Sequence, residues 1–356
     1  MGDSRAGFLK AALAAALNET SMSRAMESVV QERFGKIARF DGVTAEQVQR
    51  RLIRYSIRMF DAEKEQADEW RIIGKIYGAP KQMEYGFKVM QQLWANGFSS
   101  NASDGIAIPE PIQCLPDYCL LLMSEAPGES IRGLVKEMAA TPAHMRAAAE
   151  AIAKFHRCPV TRGHHYKVDE QLSHCNPAPQ VLAKSLPELA AAISYIVETA
   201  QAIEKSWGED IFTLVHGDFH PGHVLIDNGN VWLLDFDQLN FADPAYDLAE
   251  FFVFLKRLSG KKKMFDYIET LKAAFISQYF SIMGWEIAGR EPLYESLLNL
   301  RRACKCFRMQ DESGWEEKMR LLIESSVACM RAMEKDRHAL DFDQVMEIYN
   351  SCPISV

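Results

Sequence analysis

Two stretches in the first third of the chain alternate apolar and polar positions with the period of a β-strand. They are RLIRYSIRMFDA (51–62) and EWRIIGKIYG (69–78), and the charged segment EKEQAD separates them. Because alternate side chains of a strand point to opposite faces, the pattern predicts an antiparallel hairpin with one buried face. The second strand presents Lys75 near its end.

The spacing becomes helical after this hairpin. Pro80 is suited to a first helical turn, and apolar residues recur at intervals of three and four from Met83 to Trp94. Gly97 is expected to end that helix. Two further apolar runs, 108–115 and 118–126, predict another pair of strands on either side of a Pro-Asp turn.

Helical patterns flank this sheet on both sides. Residues 1 to about 50 are interpreted as a helical extension, with Thr44 as a helix cap. From residue 127 the chain is mainly helical, except for a strand, loop and strand-turn-strand segment at 212–238. The predicted class is therefore α+β, with a sheet-bearing N-terminal lobe (1–126) and a helical C-terminal lobe (127–356).

The composition is ordinary for a globular chain, with 48% hydrophobic and 25% charged residues and a net charge of -8. The one tight basic run, Lys261 to Lys263 near Lys256 and Arg257, is interpreted as a solvated loop, so a nucleic-acid partner is not expected. No apolar run approaches the roughly 18 residues of a membrane span. Eight cysteines occur without a CxxC pair, which favours a reduced, cytoplasmic setting.

The stretch HGDFHPGH (216–223) places three histidines and an aspartate in one short segment. One interpretation is a zinc site made of His216, His220 and His223, with a fourth position open. Their spacing suits a helix, but the glycines and proline between them oppose helix formation. The histidines alone also account neither for Asp218 nor for the LLDFDQ that follows.

A phosphotransferase explains more of these residues at once. Transfer from ATP needs a carboxylate that orients and deprotonates the attacking hydroxyl, ligands for Mg²⁺, and a lysine on the phosphates. Asp218 can be that carboxylate, His223 has the spacing of the asparagine in the kinase catalytic loop, and Asp235 ends a strand where a metal-binding carboxylate belongs. Lys75 closes its strand, and Glu84 lies early enough on the next helix to pair with it.

These motifs resemble the aminoglycoside phosphotransferase and choline kinase family, whose fold is similar to that of protein kinases. The resemblance rests on HGDFHPGHVLID, LLDFDQ and ADPAYDLAEFF, and extends to LLMSEAPGESI and AAAEAIAKFHRCPV. It covers about residues 51–255. It implies a bilobal protein-kinase-like fold, ATP as the phosphate donor and Mg²⁺ as the metal.

The resemblance also implies a role for each matching residue. Asp218 would be the catalytic base, Asp235 would bind Mg²⁺, and Asp247 would brace the catalytic loop. Lys75 would contact the α- and β-phosphates with Glu84 as its partner. The backbone of three consecutive residues would hydrogen-bond adenine: Ser124, Glu125 and Ala126.

Two features depart from the family pattern. His223 stands where the family has a metal-binding asparagine, and no glycine-rich loop is visible in MFDAEKEQADEW. Since Mg²⁺ prefers oxygen ligands to imidazole, one metal site is expected to be weakened or adapted to Mn²⁺, unless His223 reaches a phosphate instead. Asp237 matches an acidic residue of these small-molecule kinases and could add a metal contact.

The sequence therefore predicts an ATP-dependent kinase acting on a hydroxyl of a small molecule. Because of His223, a catalytically weak kinase-like nucleotide-binding protein is the main alternative, and a His-ligated zinc hydrolase is the lesser one. The C-terminal helices mix acidic and basic residues, so the acceptor stays open and a polycationic antibiotic is not favoured. The choice between ATP and GTP and the oligomeric state also stay open.

Overall fold

A computed structural model describes residues 2–63, 65–160, 165–207, 212–258, 264–285, 288–310 and 313–333. The chain divides into two compact units, Met1–Gly128 with Trp232–Leu234, and Glu129–Val231 with Asp235–Val356. The first unit is built around a sheet and the second is mainly helical. This arrangement confirms the predicted α+β class.

A five-stranded antiparallel sheet, in the order β1-β2-β3-β6-β5, forms the framework of the first unit. The strands of this unit are β1 (Ala38–Gln49), β2 (Leu52–Asp61), β3 (Gln66–Ile76), the short β4 (Ile106–Ala107), β5 (Pro111–Leu115) and β6 (Leu120–Ser124). The predicted alternation is present in β2, where Ile53, Tyr55 and Ile57 are buried on one face. The Tyr55 hydroxyl donates a hydrogen bond to the carbonyl oxygen of Ala16 at 2.8 Å, so an N-terminal helix covers that face.

The described part of the first unit also contains three α-helices: α1 (Gly2–Leu17), α2 (Glu19–Phe34) and α3 (Pro80–Leu93). Helix α2 begins after Asn18, whose side chain accepts a hydrogen bond from the Ser21 N–H at 2.9 Å and so satisfies one of the free donors of the first turn. Pro80 occupies the first turn of α3 as predicted. The helical path ends at Gly97, whose φ of 92° is readily adopted only without a side chain.

The prediction of helices over residues 1 to about 50 is wrong for the last part of that range. Residues Ala38–Gln49 form β1, which pairs with β2 from Ala38 opposite Asp61 to Gln49 opposite Leu52. Thr44 is therefore a strand residue and not a helix cap. The alternation there is weak because β1 is an edge strand with Val43 as its one buried residue, and pairing with β2 decides its conformation instead.

The second unit consists mainly of helices, with short strands between them. The strands of this part of the chain are β7 (Glu129–Ser130), β8 (Thr213–Val215), β9 (Val224–Asp227), β10 (Asn230–Leu233) and β11 (Asn240–Ala242). Its helices are α4 (Ile131–Lys136), α5 (Pro142–His156), α6 (Val168–Ser173), α7 (Pro179–Ser185), α8 (Ala190–Ser206), α9 (Ala245–Leu258), α10 (Phe265–Met283), α11 (Glu291–Met309) and α12 (Trp315–Met333). Asn228 and Gly229 have φ values of 48° and 87° and make the predicted turn between β9 and β10.

Stacked aromatic rings hold the loop between β8 and β9 against the helices. Phe219, in the middle of that loop, is buried and stacks on Phe251 of α9 with ring centroids 4.9 Å apart. Phe251 in turn stacks on Phe275 of α10 at 4.8 Å. Because aromatic rings bury large apolar areas with defined geometry, this stack fixes the position of the residues on either side of Phe219.

Lys256 is buried in α9, where it pairs with Glu295. The basic run at 261–263, interpreted from the sequence as a solvated loop, lies outside the described residues. The Tyr166 and Val168 side chains are buried, and α6 begins at Val168. Among the helices described, none has a stretch long and apolar enough to cross a membrane.

Candidate active site

The loop His216–His223 begins with two residues that are tightly constrained. His216 is fully buried, and its ring lies 5.2 Å from that of Phe236 and 5.8 Å from that of Phe155. Gly217 has a φ of 77°, and a Cβ atom there would collide with the carbonyl oxygen of Gln238. His216 is thus a packing residue, and only glycine fits the position that follows it.

Asp247 braces this loop from the first turn of α9. Its fully buried carboxylate accepts hydrogen bonds from the N–H of His216 at 2.7 Å and of Gly217 at 2.9 Å. It also accepts one from Nε2 of His156 at 3.0 Å, while Nδ1 of His156 lies 2.7 Å from the Tyr279 hydroxyl. A buried carboxylate with these partners is satisfied, so Asp247 has a structural role of the kind that the resemblance implies.

His223 closes the loop with a defined tautomer. Its Nδ1 lies 3.0 Å from the backbone carbonyl oxygen of Asp218, and because a carbonyl only accepts, Nδ1 carries the proton. The same Nδ1 is 3.6 Å from the Asp218 carboxylate. Because Nδ1 donates to the backbone carbonyl, Nε2 is the nitrogen of His223 that can bind a metal ion or accept a hydrogen bond.

His220, which the sequence reasoning did not assign to the kinase site, belongs to the same cluster. Burial, reinforced by the charges of His223 and His216, lowers the pKa of His220 to about 3, so its imidazole is neutral at pH 7. Its Nδ1 accepts a hydrogen bond from the Gly222 N–H at 3.0 Å, and its ring lies 3.7 Å from that of His223. The ring also rests 4.4 Å from that of Phe254 on α9.

The cluster contains one group of side chains able to hold a metal ion among the described residues. Asp218, His220 and His223 offer ligand atoms that lie within 4.8 Å of one another. The zinc interpretation required His216 together with His220 and His223, but the buried His216 is replaced by Asp218 in this group. The observed group therefore consists of one carboxylate and two imidazoles, and it differs from the predicted zinc site of three histidines.

Asp235 follows β10 in a left-handed conformation, with a φ of 67°. Aspartate tolerates this region better than most residues, and the Asp237 N–H donates to Asp235 Oδ1 at 3.4 Å. The charge of Asp235 acts on His220, whose pKa it raises against the larger effects that lower it. Asp235 thus lies within electrostatic range of the Asp218 cluster, while Asp237 is exposed.

The donor chemistry of Asp235, Asp237 and His223 is that of a divalent-ion site, but of these three only His223 belongs to the group of described residues whose ligand atoms lie within 4.8 Å of one another. Asp235 and Asp237 provide carboxylate oxygens, which Mg²⁺ and Mn²⁺ both accept, and His223 provides Nε2. One nitrogen among oxygen ligands moves the preference toward Mn²⁺. The residues present therefore suit a metal-nucleotide complex, with His223 as the donor that differs from the family pattern.

Lys75 and Glu84 both lie in the first unit. Lys75 on β3 is 8% exposed, and its Nζ lies 5.4 Å from the centre of the Tyr77 ring. Glu84 on α3 is exposed. Its charge adds to burial in raising the pKa of Cys114 to about 11. The pairing of Lys75 with Glu84 stays a prediction.

The segment expected to contact adenine is partly committed to other bonds. The Ser124 N–H donates to the Glu110 carbonyl oxygen at 3.0 Å, and the Ser124 hydroxyl accepts from the Glu110 N–H at 2.8 Å. The Glu125 carboxylate pairs with the Arg54 guanidinium at 2.7 Å. Of the three N–H groups, that of Ser124 is thus already used, and those of Glu125 and Ala126 are left as candidates.

A cavity of about 840 Å³ in the second unit includes Asp218 in its wall, and sequence reasoning did not identify it. Glu250 of α9 lines it too, and its Oε2 atom is buried without a hydrogen-bond partner among the described residues. Burial, followed by the charges of Asp218 and Asp247, raises the pKa of Glu250 well above its ordinary value. The sequence could have indicated Glu250, because it lies close to Asp247 along the same helix. Spacing alone, however, does not reveal which of the two carboxylates lacks a hydrogen-bond partner.

Several solved structures share this fold. The amicoumacin kinase hAmiN, in complex with AMP-PNP, Ca²⁺ and Ami, has a TM-score of 0.58 and 14% identity over 90% of this chain and 97% of that chain. A thermostable mutant of aminoglycoside phosphotransferase APH(4)-Ia with ADP and hygromycin B has a TM-score of 0.53 and 15% identity, over 84% of this chain and 98% of that chain. A choline/ethanolamine kinase family protein from Mesorhizobium loti has a TM-score of 0.52 and 12% identity, over 93% of this chain and 98% of that chain. At these identities the likeness establishes the protein-kinase-like fold.

The sequence itself matches the model of the phosphotransferase enzyme family (APH) over residues 62–280. The chain therefore belongs to that family, and the recognised resemblance is confirmed. A curated relative, uncharacterized protein YcbJ of Bacillus subtilis (strain 168), is 44% identical over 115 residues, or 32% of this chain. The match spans about a third of that relative, 33% of its length.

Proposed function

We propose that the protein is an ATP-dependent kinase that transfers the γ-phosphate to a hydroxyl group of a small molecule. The observation that supports it best is the constrained loop His216–His223, in which Asp247 holds the first two N–H groups. The same loop carries Asp218, and Asp235 acts electrostatically on its His220. Positioning and electrostatics supply most of the catalysis in phosphoryl transfer, so a rigid loop that carries the Asp218 carboxylate, with the charge of Asp235 acting on it, suits this reaction.

The residues of the loop have separate tasks in this step. The Asp218 carboxylate orients the acceptor hydroxyl and takes its proton as the hydroxyl oxygen forms a bond to the γ-phosphorus. The bond from that phosphorus to the bridging oxygen breaks, and ADP leaves with the electron pair. A divalent ion, Mg²⁺ or Mn²⁺, held by Asp235 and His223 with Asp237 as a further ligand, would neutralise charge on the phosphate oxygens.

The first unit supplies the proposed contacts to the rest of the nucleotide. Lys75, nearly buried on β3, binds the α- and β-phosphates, with Glu84 as its partner. Because the Ser124 N–H is already bonded to Glu110, the backbone of Glu125 and Ala126 provides the adenine hydrogen bonds. The donor nucleotide is ATP in this proposal, and the acceptor is a small molecule and not a nucleic acid.

A second candidate function is nucleotide binding with weak or no transfer, and His223 favours it. A nitrogen ligand in place of an amide oxygen weakens a Mg²⁺ site. Titration of the protein with ATP in the presence of Mg²⁺ and then of Mn²⁺, followed by transfer assays, separates the two functions. Binding with either ion but no transfer would favour the second.

The Asp218→Asn variant tests the catalytic role directly. We expect turnover to fall by about 10²-fold or more, because general-base catalysis contributes that much, while the affinity for ATP changes little. The measurement is phosphoryl transfer from labelled ATP to a panel of hydroxylated metabolites, with nucleotide affinity determined separately.

Asp117→Asn is the matched control, since Asp117 is an exposed aspartate in a short turn of the first unit. It should retain full turnover. A fully active Asp218→Asn protein would contradict the assignment of Asp218 as the base.

A further inference from the structure

The cavity beside Asp218 is lined by three helices of the second unit, α9, α11 and α12, and by the segment after α6. We call it the α9–α11 cavity. Its lining residues are His174, Asn176, Asp218, Glu250, Val253, Phe254, Arg257, Leu298, Arg301, Arg302, Lys305, Cys306, Arg308, Met309, Trp315 and Lys318. A volume of about 840 Å³ is within the range of small-molecule sites, and because Asp218 is part of the wall, an occupant can place a hydroxyl against the proposed base.

The charge of this lining is the opposite of that of the whole chain. Six cationic side chains face two carboxylates, Asp218 and Glu250, in a protein with a net charge of -8. The cations are Arg257, Arg301, Arg302, Lys305, Arg308 and Lys318. Such a concentration in a concave site raises the local concentration of anions and repels cations.

Three of these six cations lie on one face of α11. Arg301, Lys305 and Arg308 follow one another at intervals of four and three, which places them on the same side of a helix. Among the described residues, no carboxylate forms an ion pair with Lys305 or Arg308. Both side chains are exposed, so their charges remain available to a ligand.

The remaining charges of the cavity strengthen its positive character. Burial, and after it the charge of Arg257, lowers the pKa of Arg302 to about 10, which shows that two guanidinium groups are crowded together. The pKa of Glu250 is raised by its burial and by the charge of Asp218. The raised pKa favours the protonated form of Glu250, which offers a hydrogen-bond donor and carries no negative charge to oppose the arginines.

We propose that the phosphate acceptor is an anionic hydroxyl compound whose phosphate or carboxylate group is bound by Arg301, Lys305 and Arg308. The inference rests on the proposed kinase function and adds the substrate class to it. Guanidinium and ammonium groups form charge-assisted hydrogen bonds with such anions. Polycationic acceptors are disfavoured by the same charges.

The test compares acceptors that share a scaffold and differ in charge. The panel is glycerol with glycerol 3-phosphate and glycerate, and glucose with glucose 6-phosphate, gluconate and glucosamine. Binding to the full-length protein saturated with AMP-PNP and a divalent ion is measured calorimetrically, so the nucleotide site is occupied and cannot account for the anion. We expect at least one anion to bind about tenfold or more tightly than its neutral and cationic counterparts, and the phosphate and carboxylate arms show which group is preferred.

Single substitutions locate the binding site. Lys305→Gln and Arg308→Gln should each weaken anion binding by about tenfold, the usual loss for one charged hydrogen bond, and leave AMP-PNP binding unchanged. Arg146→Gln is the matched control, because Arg146 is exposed on α5 and does not line the cavity. It should bind the anions like the unmodified protein.

The outcomes separate this inference from the kinase proposal. No binding preference for any anion, or equal anion binding by the α11 variants and the unmodified protein, overturns the inference. Phosphoryl transfer to glucose or glucosamine with rejection of the anions overturns it too, but supports the kinase function. Cavity-dependent anion binding by a protein that binds no nucleotide supports the anion site and contradicts the kinase proposal.

Discussion

At the scale of single residues, Glu250 is the group whose chemistry depends most on its surroundings. Its Oε2 atom is buried and unbonded among the described residues, and the carboxylates of Asp218 and Asp247 both act on it. Burial disfavours the charged form of a carboxyl group, and neighbouring negative charges add to this effect. The folded protein therefore retains the Glu250 proton at pH values where the unfolded chain has lost it.

Glu250→Gln should consequently change the pH dependence of stability. At pH values between the ordinary glutamate pKa and the raised pKa of the folded state, the folded protein binds one more proton than the unfolded chain. Its free energy of unfolding therefore decreases with increasing pH, by up to about 1.4 kcal/mol per pH unit. Glutamine does not titrate, so this loss disappears. Thermal unfolding between about pH 5 and 8 should show the variant gaining stability relative to the unmodified protein as pH increases.

The exposed Glu198 on α8 provides the control for this measurement. Glu198→Gln should follow the curve of the unmodified protein at every pH. Parallel curves for Glu250→Gln and the unmodified protein would mean that Glu250 is ionised in the folded state.

The sequence was informative about these residues only where a motif prescribes them. Asp218, Asp235 and Asp247 could be singled out because each belongs to a family pattern, and the bonds of Asp247 agree with its implied role. The neutral state of His220 and the unbonded oxygen of Glu250 could not be predicted. Both depend on side chains of α9 that only the folded arrangement brings together with the loop.

At the scale of elements, strong periodicity identified the right structures and weak periodicity did not. The alternation of β2 and the helical spacing of α3 are matched by clear buried faces, whereas β3 is exposed in its first half and becomes buried toward Ile76. In β1, by contrast, a single buried residue leaves no readable pattern. An edge strand takes its conformation from its partner, which a local reading of the sequence cannot include.

A buried ion pair joins α9 and α11. Lys256 of α9 forms two hydrogen bonds of 2.8 Å with the Glu295 carboxylate of α11, and both residues are buried. Lys272 of α10 is 1% exposed, and burial followed by the like charge of Lys256 lowers its pKa to about 8. The Lys256–Glu295 pair therefore links two helices through charges that have little access to water.

Lys256→Met should destabilise the protein strongly, because it leaves the Glu295 carboxylate buried without its main partner. Breaking a buried ion pair in this way costs about 3–5 kcal/mol, which chemical denaturation can measure. Adding Glu295→Met should restore much of the lost stability. Arg320→Gln is the control, since the Arg320–Glu188 pair is exposed, and it should change the free energy of unfolding little. Equal losses of unfolding free energy from Lys256→Met and Arg320→Gln would show that the buried pair is not stabilising.

At the scale of the whole molecule, charge is distributed unevenly. The sequence shows the C-terminal helices only as a mixture of acidic and basic residues, because Glu291 and Glu295 lie on α11 together with Arg301 and Arg308. The structure separates them: the two glutamates are buried, whereas the two arginines line the cavity. The basic face of α11 was readable from its spacing, but the contribution of Lys318 from α12 required the fold.

An acidic protein with a basic cavity should bind an anionic acceptor in a salt-dependent manner. Charges more than about 10 Å apart are screened at 0.1 M salt. Raising the NaCl concentration from about 0.05 to 0.5 M should therefore remove the long-range repulsion between the acidic surface and the anion. The same change also weakens the attraction of the anion to Lys305 and Arg308. Because the cavity cations are much nearer to the ligand, their attraction dominates, and we expect the KM of the anionic acceptor to rise with salt. Arg308→Gln, with one cation fewer, should show a shallower rise, whereas Arg146→Gln should keep the original slope. Identical slopes for Arg308→Gln and the unmodified protein, measured at saturating ATP, would place the acceptor away from α11.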